Sequence, residues 1–205
     1  MFLTRYRHAV RFSLYRLPRG WRLLVDWLAT LGVAAILVLL FENEVAKPYR
    51  IPTSSMEPTL HCAGPHTGCL GKSSDRVLAA KIVFQLRSPA RGDIVVFKAP
   101  PGARTKCEEG GTFVKRIVGL PGEVVSERHG VVYVNEERLA EPYVDLARRD
   151  GRTHVWPRLQ KGEYFVMGDN RAASCDSRDW GPVPRGNLIG PVVATYWPFT
   201  RFGFR

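Results

Sequence analysis

The chain has 205 residues, and its content of 45% apolar and 24% charged residues is ordinary for a folded protein with one domain and an anchor. Its formal net charge of +11 indicates a polyanionic partner, either nucleic acid or a membrane surface. Residues 1–22 carry six arginines and no acid. No lysine/arginine block with interleaved aromatics follows, which argues against nucleic acid and for a membrane.

A predicted membrane-spanning helix follows the arginines, at residues 23–41 (LLVDWLATLGVAAILVLLF). These 19 residues extend about 28 Å, close to the roughly 30 Å of a hydrocarbon core. Asp26 lies one turn from the end, where its charge can reach the interface. The alternatives are a buried core helix and a cleaved signal peptide, but Glu44 stands where cleavage after Ala46 would require a small neutral side chain. We therefore predict an uncleaved anchor.

The arginine excess before this helix predicts its orientation by the positive-inside rule. Residues 1–22 would form a basic cytoplasmic segment, and residues 23–41 would cross the cell membrane once. Residues 42–205 would form a β-rich extracytoplasmic domain.

All four cysteines follow the predicted anchor, an even number in a compartment that permits disulfides. Three pairings exist; the short loop between Cys62 and Cys69 favours bonding these two, which leaves Cys107 and Cys175. The alternative is a metal site from His61, Cys62, His66 and Cys69. That spacing matches no familiar zinc motif, so we predict no metal.

Beyond the anchor, short β-branched runs separated by turn signals indicate an all-β domain without a convincing helix. The predicted strands are residues 77–84, 94–100, 112–120, 123–139 (a hairpin about His129-Gly130), 163–169 and 188–197. Residues 61–75 and 99–111 are predicted loops.

Residues 51–60, IPTSSMEPTL, hold three hydroxyl side chains between two prolines. If this segment is extended, Thr53 and Ser55 point to one face and Ser54 to the other. One of the paired hydroxyls could attack a carbonyl while the other donates to the oxygen that becomes negative. The prolines would stiffen the segment and hold a nucleophile in place.

A serine nucleophile requires a base, and none of the five histidines lies in a run typical of a catalytic site, so a Ser-His-Asp triad has little support. A lysine can serve if burial among apolar groups lowers its pKa. Lys115 lies in an apolar run with no acid within five residues, and Lys81 is its rival. An edge-strand lysine that protects against aggregation is the other interpretation of Lys115.

Four motifs in order resemble the bacterial type I signal peptidases, membrane-bound Ser/Lys endopeptidases that remove signal peptides. They are PTSSMEPTL (52–60), RGDIVVF (91–97), KRIVGLPGE (115–123) and GDNRAASCDSRDWGPVP (168–184). The resemblance spans about residues 45–199. It implies a mainly β fold, an antiparallel β-sheet catalytic domain of signal-peptidase type preceded by one transmembrane helix, with Ser55 as nucleophile and Lys115 as general base.

The resemblance also implies supporting roles. The Thr53 hydroxyl would join the Ser55 backbone N–H in the oxyanion hole, and the Ser174 hydroxyl would lie beside the Lys115 amine. Asp176 and Arg178 would organise that site. The family cleaves after Ala-X-Ala, and the residues expected to line the shallow pockets are Tyr49, Ile51, Met56 and Val114.

Two features depart from the family pattern. The loop 61–74 is longer than the connection in compact members and could rest on the site or only be stapled beside it. Cys175 stands inside the last motif where small residues such as alanine are usual; a disulfide to Cys107 would rigidify the surroundings of the lysine, whereas a free thiol would be sensitive to oxidation. The residues after position 195 are aromatic and basic, so the segment 196–205 could enter the headgroup layer or pack as a plain terminus.

The predicted function is a membrane-anchored serine endopeptidase that acts through an acyl-enzyme without a cofactor. Its partners would be the signal peptides of preproteins, the lipid bilayer and the protein-export machinery. The alternatives are a maturation peptidase for one secretion or conjugation substrate, a self-cleaving repressor-type protease, and a catalytically silent membrane-tethered binding module.

Overall fold

The computed structural model describes residues 18–64, 68–107 and 110–205. Most of the predicted basic segment, residues 1–17, and His66 of the metal alternative lie outside the described residues. The chain divides into two compact units, residues 1–43 and residues 44–205.

The described part of the first unit is helical. Helix α1, Arg19–Glu44, contains the apolar stretch Gly20–Val38, which is long and apolar enough to cross a membrane. None of this stretch is buried: leucines and tryptophans along it, such as Trp27 and Leu28, are about two-thirds exposed. A core helix would bury such side chains in protein, so the exposed apolar surface fits a membrane anchor and not the core-helix alternative.

The second unit is mainly antiparallel β, as predicted. In chain order, the strands of the described residues are β1 Ala46–Arg50, β2 Arg76–Ala80, β3 Ile94–Lys98, β4 Thr112–Gly119, β5 Val125–Arg128, β6 Val131–Val134, β7 Glu137–Arg138, β8 His154–Val155, β9 Glu163–Met167, β10 Val183–Pro184, β11 Leu188–Trp197 and β12 Gly203–Phe204. One sheet has the order β1-β2-β11-β3-β4-β9-β10, with β12 paired to β11. A smaller sheet has the order β7-β6-β5-β8.

The predicted hairpin about His129-Gly130 joins β5 to β6. Arg128 pairs with Val131 across a two-residue turn in which both central residues have positive φ, 50° and 76°. This is the type I′ geometry that suits the twist of a two-residue hairpin. The turn ends in Gly130 because an added Cβ there would overlap the carbonyl of Asp150.

The run 77–84 is not one strand. β2 ends at Ala80, and the chain then forms a short helix, α2 Val83–Leu86. Its β-branched residues suggested a longer strand, but the helical turn carries Phe84 back into the core around Val95 and Phe97. Tertiary packing therefore outweighs local β propensity here.

Two further short helices lie where the sequence suggested no helix. α3 Pro101–Cys107 occupies most of the predicted loop 99–111, and proline at its first position is a normal helix start. α4 Ser177–Trp180 begins with a capping box in which the Asp176 side chain accepts from the helix backbone and the Asp179 side chain accepts from the Asp176 N–H.

Candidate active site

The segment that carries Ser55 is a turn, so the extended conformation considered for it does not form. Thr53 is extended (φ −121°, ψ 158°), but Ser54–Met56 form a 3-10 turn closed by the Glu57 N–H donating to Ser54 O at 3.1 Å. The turn lets Met56 enter the core, where it is almost fully buried. The Thr53 and Ser55 hydroxyl oxygens still lie together, 3.3 Å apart.

Asn170, in the segment after β9, holds this turn by two hydrogen bonds that the sequence did not predict. Its backbone N–H donates to Ser55 O and its side-chain amide donates to Ser54 O, both at 3.0 Å. Asn170 is 3% exposed, so neither bond competes with bulk water. The GDN triplet in the last motif is the signal that could have indicated it.

Lys115 lies in the middle of β4, paired with Val95 of β3, and is 3% exposed. That burial contradicts the exposed edge-strand interpretation. Its side-chain nitrogen lies 6.0 Å from the centroid of the Phe113 ring. The rival Lys81 lies in the turn after β2, away from the residues around Ser55.

Ser55 and Lys115 line the same cleft. Its volume is about 330 Å³, and its walls come from the end of β1 with the serine turn on one side and from the start of β4 on the other. All four expected pocket residues and Thr53 line it too. The residues around it are Tyr49, Arg50, Ile51, Pro52, Thr53, Ser55, Met56, Gly110, Thr112, Phe113, Val114 and Lys115. The lining residues not predicted for the pocket are Arg50, Pro52, Gly110, Thr112 and Phe113.

Ser174, Asp176 and Arg178 form a buried hydrogen-bonded network. The Ser174 hydroxyl donates to Asp176 Oδ2 at 2.7 Å, and Arg178 donates from Nε and Nη2 to the two carboxylate oxygens at 2.8 and 2.9 Å. The Gly168 N–H donates to Asp176 Oδ2 at 2.9 Å. This network fixes the direction of the Ser174 hydroxyl.

The electrostatics of Asp176 connect this network to the lysine. Complete burial would raise the pKa of Asp176, but the charge and hydrogen bonds of Arg178, the positive charge of Lys115 and the Gly168 N–H hold that pKa below its ordinary value. Burial likewise opposes the charge of Arg178, whose pKa is nevertheless raised by Asp176, Asp150 and Glu127. Asp176 therefore carries a charge that Arg178 largely neutralises.

A second buried ion pair supports the strand beside Lys115. Arg116 donates from Nε and Nη2 to the Asp169 carboxylate at 2.9 and 2.6 Å, and the Thr59 hydroxyl donates to the same carboxylate at 2.5 Å. The Arg116 guanidinium also lies 4.0 Å from the centroid of the Tyr143 ring. This cluster ties β4 to the segment after β9 and to the segment after the serine turn, and no single sequence motif indicated it.

The structure pairs Cys62 with Cys69 and Cys107 with Cys175. Because the first two sulfurs are bonded to each other, neither can be the thiolate ligand that the metal alternative requires. The second disulfide joins the end of α3 to the residue between Ser174 and Asp176.

Comparison with known proteins identifies the family of the chain. The model of the family "Signal peptidase, peptidase S26" matches residues 24–197. The chain is 38% identical over 174 residues to probable signal peptidase I-2 of Synechocystis sp. (85% of this chain, 73% of the relative). It is 33% identical over 189 residues to signal peptidase I of Leptolyngbya laminosa (91% and 86%). A crystal structure of a signal peptidase I from Enterococcus faecalis V583 covers 52% of this chain and 97% of its own, with 31% identity and a TM-score of 0.43.

The fold and the family define a peptidase with an antiparallel β domain and an apolar N-terminal helix that fits membrane anchoring. The chain belongs to the signal peptidase family, peptidase S26. Its relatives named signal peptidase I indicate removal of signal peptides as its activity. The silent binding module is thereby set aside.

Proposed function

We propose that this peptidase removes N-terminal signal peptides from exported preproteins by a Ser55/Lys115 dyad. The observation that carries the proposal is the position of the Ser55 hydroxyl and the buried Lys115 in one cleft, with the Thr53 hydroxyl 3.3 Å from Ser55 Oγ. A serine next to a lysine held in apolar surroundings is an established arrangement for nucleophilic catalysis.

The reaction begins with the neutral Lys115 amine taking the Ser55 proton as the serine oxygen attacks the scissile carbonyl. The Ser55 N–H and the Thr53 hydroxyl donate to the carbonyl oxygen as it becomes negative. The lysine then gives its proton to the leaving amine, and the mature protein departs. A water molecule, deprotonated by the same amine, then attacks the ester carbonyl, and the amine returns this proton to Ser55 Oγ as the signal peptide departs. The dyad requires no metal or organic cofactor.

The buried surroundings of Lys115 support its role as a base. Burial among apolar groups disfavours the charged form of a lysine, whereas a nearby carboxylate favours it. Asp176 is such a carboxylate, but the two N–H groups of Arg178 compensate its charge. Asp176 can thus orient Ser174 while adding little net negative charge beside the amine.

The cleft suits an extended peptide with small side chains. Among the described strands, β1 pairs with β2 alone, and β4 pairs with β9 only from Arg116 onward. The backbone edges on both cleft walls can therefore bond to an added strand. Ile51 and Met56 form a buried floor, which leaves little depth for side chains larger than alanine. We therefore propose cleavage after Ala-X-Ala sites.

We also propose the membrane topology that the arginine-rich N-terminus predicts, with residues 1–22 in the cytoplasm and the peptidase domain on the other side of the membrane. Two disulfides suit an oxidising compartment. In that place the enzyme would meet preproteins as the export machinery delivers them at the bilayer.

The dyad is tested by cleavage of a preprotein with an Ala-X-Ala site by the full chain in detergent. We expect Ser55→Ala and Lys115→Ala each to lower kcat by about 10³-fold or more, because removal of one member disables a catalytic unit. Lys81→Ala is the matched control and should stay within about twofold of wild type. Full activity of Lys115→Ala would refute the base assignment. No cleavage of general preproteins by wild type would favour the specialised maturation peptidase.

A further inference from the structure

The loop closed by the Cys62–Cys69 disulfide contacts the serine turn directly. Gly68 has φ +89°, and a Cβ added there would lie 3.2 Å from Ser54 Oγ and 3.3 Å from Ser54 Cβ. Gly68 therefore packs tightly against the neighbour of Ser55, and an added side chain would require Ser54 to shift by a few tenths of an ångström. None of the described residues of this loop lines the cleft.

A buried carboxylate makes the second contact between the loop and the turn. Glu57, two residues after Ser55, is fully buried, and its Oε1 accepts from the N–H groups of Cys62 and Leu70, both at 3.0 Å. Cys62 is one end of the segment that the disulfide closes, and Leu70 is the residue that follows its other end. The other carboxylate oxygen bonds to the His61 ring.

Glu57 is hydrogen-bonded both to the turn that carries Ser55 and to the disulfide loop. Its own N–H closes the turn by donating to Ser54 O, and its side chain is held by donors from the loop. The disulfide keeps the Cys62 and Leu70 N–H groups close enough to share one oxygen. If the loop opens, Glu57 loses its fixed donors and the turn can shift. A misplacement of about 1 Å at a reacting group costs about 10²-fold in rate.

We propose that the Cys62–Cys69 loop positions the nucleophile, with Glu57 and Gly68 as the positioning residues. This inference rests on the proposed role of Ser55. The described loop residues contact the turn but do not line the cleft, so they can affect the position of Ser55 without contacting the substrate. A change in the loop should therefore lower kcat and leave KM nearly unchanged. A loop that contributed only to stability would not produce this split.

The test compares two alanine variants of glycines with the same backbone strain. Gly68 and Gly122 have φ of +89° and +87°, but only the Cβ at position 68 meets another atom within 4 Å. In the full chain in detergent, we expect Gly68→Ala to lower kcat at least about tenfold with KM within about twofold. Gly122→Ala should stay within about twofold in both constants, with a similar loss of Tm. Equal kcat for the two variants would overturn the proposal.

Two further variants keep the proposal testable if Gly68→Ala does not fold. Cys62→Ser/Cys69→Ser should show the same fall in kcat, and Glu57→Gln, which retains a carbonyl acceptor, should be more active than Glu57→Ala. Wild-type kcat in the cysteine double variant would refute positioning by the disulfide loop. Ser55→Ala separates the two failures: if it is active, the proposed function fails, and if it is inactive while the loop variants are normal, only the positioning role fails.

Discussion

At the scale of single residues, Gly168 is where the two halves of the site meet. A Cβ added there would come closer than 3.0 Å to both Ser174 Oγ and Ser55 O, a separation that real Cβ atoms essentially never show. The same residue donates its N–H to Asp176. The absence of a side chain thus lets the serine turn and the Ser174 segment approach each other.

We expect Gly168→Ala to lower kcat by about 10²-fold, because the new methyl group must push the Ser55 carbonyl or the Ser174 hydroxyl away. Gly186→Ala is the matched control, since its added Cβ would meet no atom within 4 Å. Cleavage kinetics of the same preprotein measure both variants. A Gly168→Ala enzyme with wild-type kcat would show that this contact does not set the geometry of the site.

At the scale of elements, Arg178 connects α4 to the smaller sheet. Its Nη1 donates to Asp150 at 2.6 Å and lies 4.0 Å from Oε1 of Glu127, a fully buried residue of β5. Burial raises the pKa of Glu127 to about 7, with the charge of Arg178 opposing and that of Asp150 adding to the shift. The acid that supports Arg178 from this side therefore titrates near neutral pH.

This shift predicts a pH-dependent stability. Because the pKa of Glu127 is raised, the folded chain binds this proton more tightly than the unfolded chain does, and protonation of Glu127 stabilises the fold. This contribution to the free energy of unfolding is fully present below pH about 4.5 and is lost as the pH rises to about 7. Glu127→Gln mimics the protonated acid. The variant should have the same free energy of unfolding as wild type at pH 4.5. At pH 8 its free energy of unfolding should be about 2–4 kcal/mol higher than that of wild type.

Thermal unfolding of both full-length proteins across this pH range measures the effect as a difference in Tm. Glu137→Gln, at an exposed position of β7, is a suitable control for removing one carboxylate. A Tm difference between Glu127→Gln and wild type that does not change with pH would contradict the assigned titration.

At the scale of the whole molecule, the domain carries an aromatic surface where β11 leads into β12. Phe199, Phe202 and Phe204 are 77%, 58% and 84% exposed, and Trp197 contacts the Phe199 ring. Aromatic side chains next to arginines are typical of surfaces that enter the lipid headgroup layer. These aromatic side chains are therefore not packed inside the domain, and we propose that they contact the bilayer.

Replacing the three phenylalanines with serine should lower cleavage of a preprotein embedded in anionic vesicles by about tenfold, because each lost contact removes apolar area from the interface. Cleavage of a short soluble peptide should be unchanged. The control is Leu86→Ser/Leu146→Ser, which removes two equally exposed apolar side chains elsewhere. Equal losses on vesicles and on the soluble peptide would contradict a membrane role.

The sequence by itself determined the N-terminal helix, most of the strands and the family, because these features depend on residues that are neighbours along the chain. Apolar length and arginine excess identified the N-terminal helix, β-branched runs located most strands, and the His129-Gly130 turn specified its hairpin. Four motifs in order identified the family. Ser55 and Lys115 came from these motifs and the pocket residues from positions within or beside them, and the structure brings all of them to one cleft.

Only the tertiary structure decided how these parts meet. The serine segment bends into a turn because Met56 enters the core and Asn170 holds the carbonyls of Ser54 and Ser55 from a segment more than one hundred residues away. The short helices near residues 84 and 103 depend on core positions that local propensity does not encode. Contacts such as Arg116 with Asp169 and Arg178 with Asp150 join segments distant in sequence. These contacts form only when the folded chain brings the segments together, so local sequence patterns do not predict them.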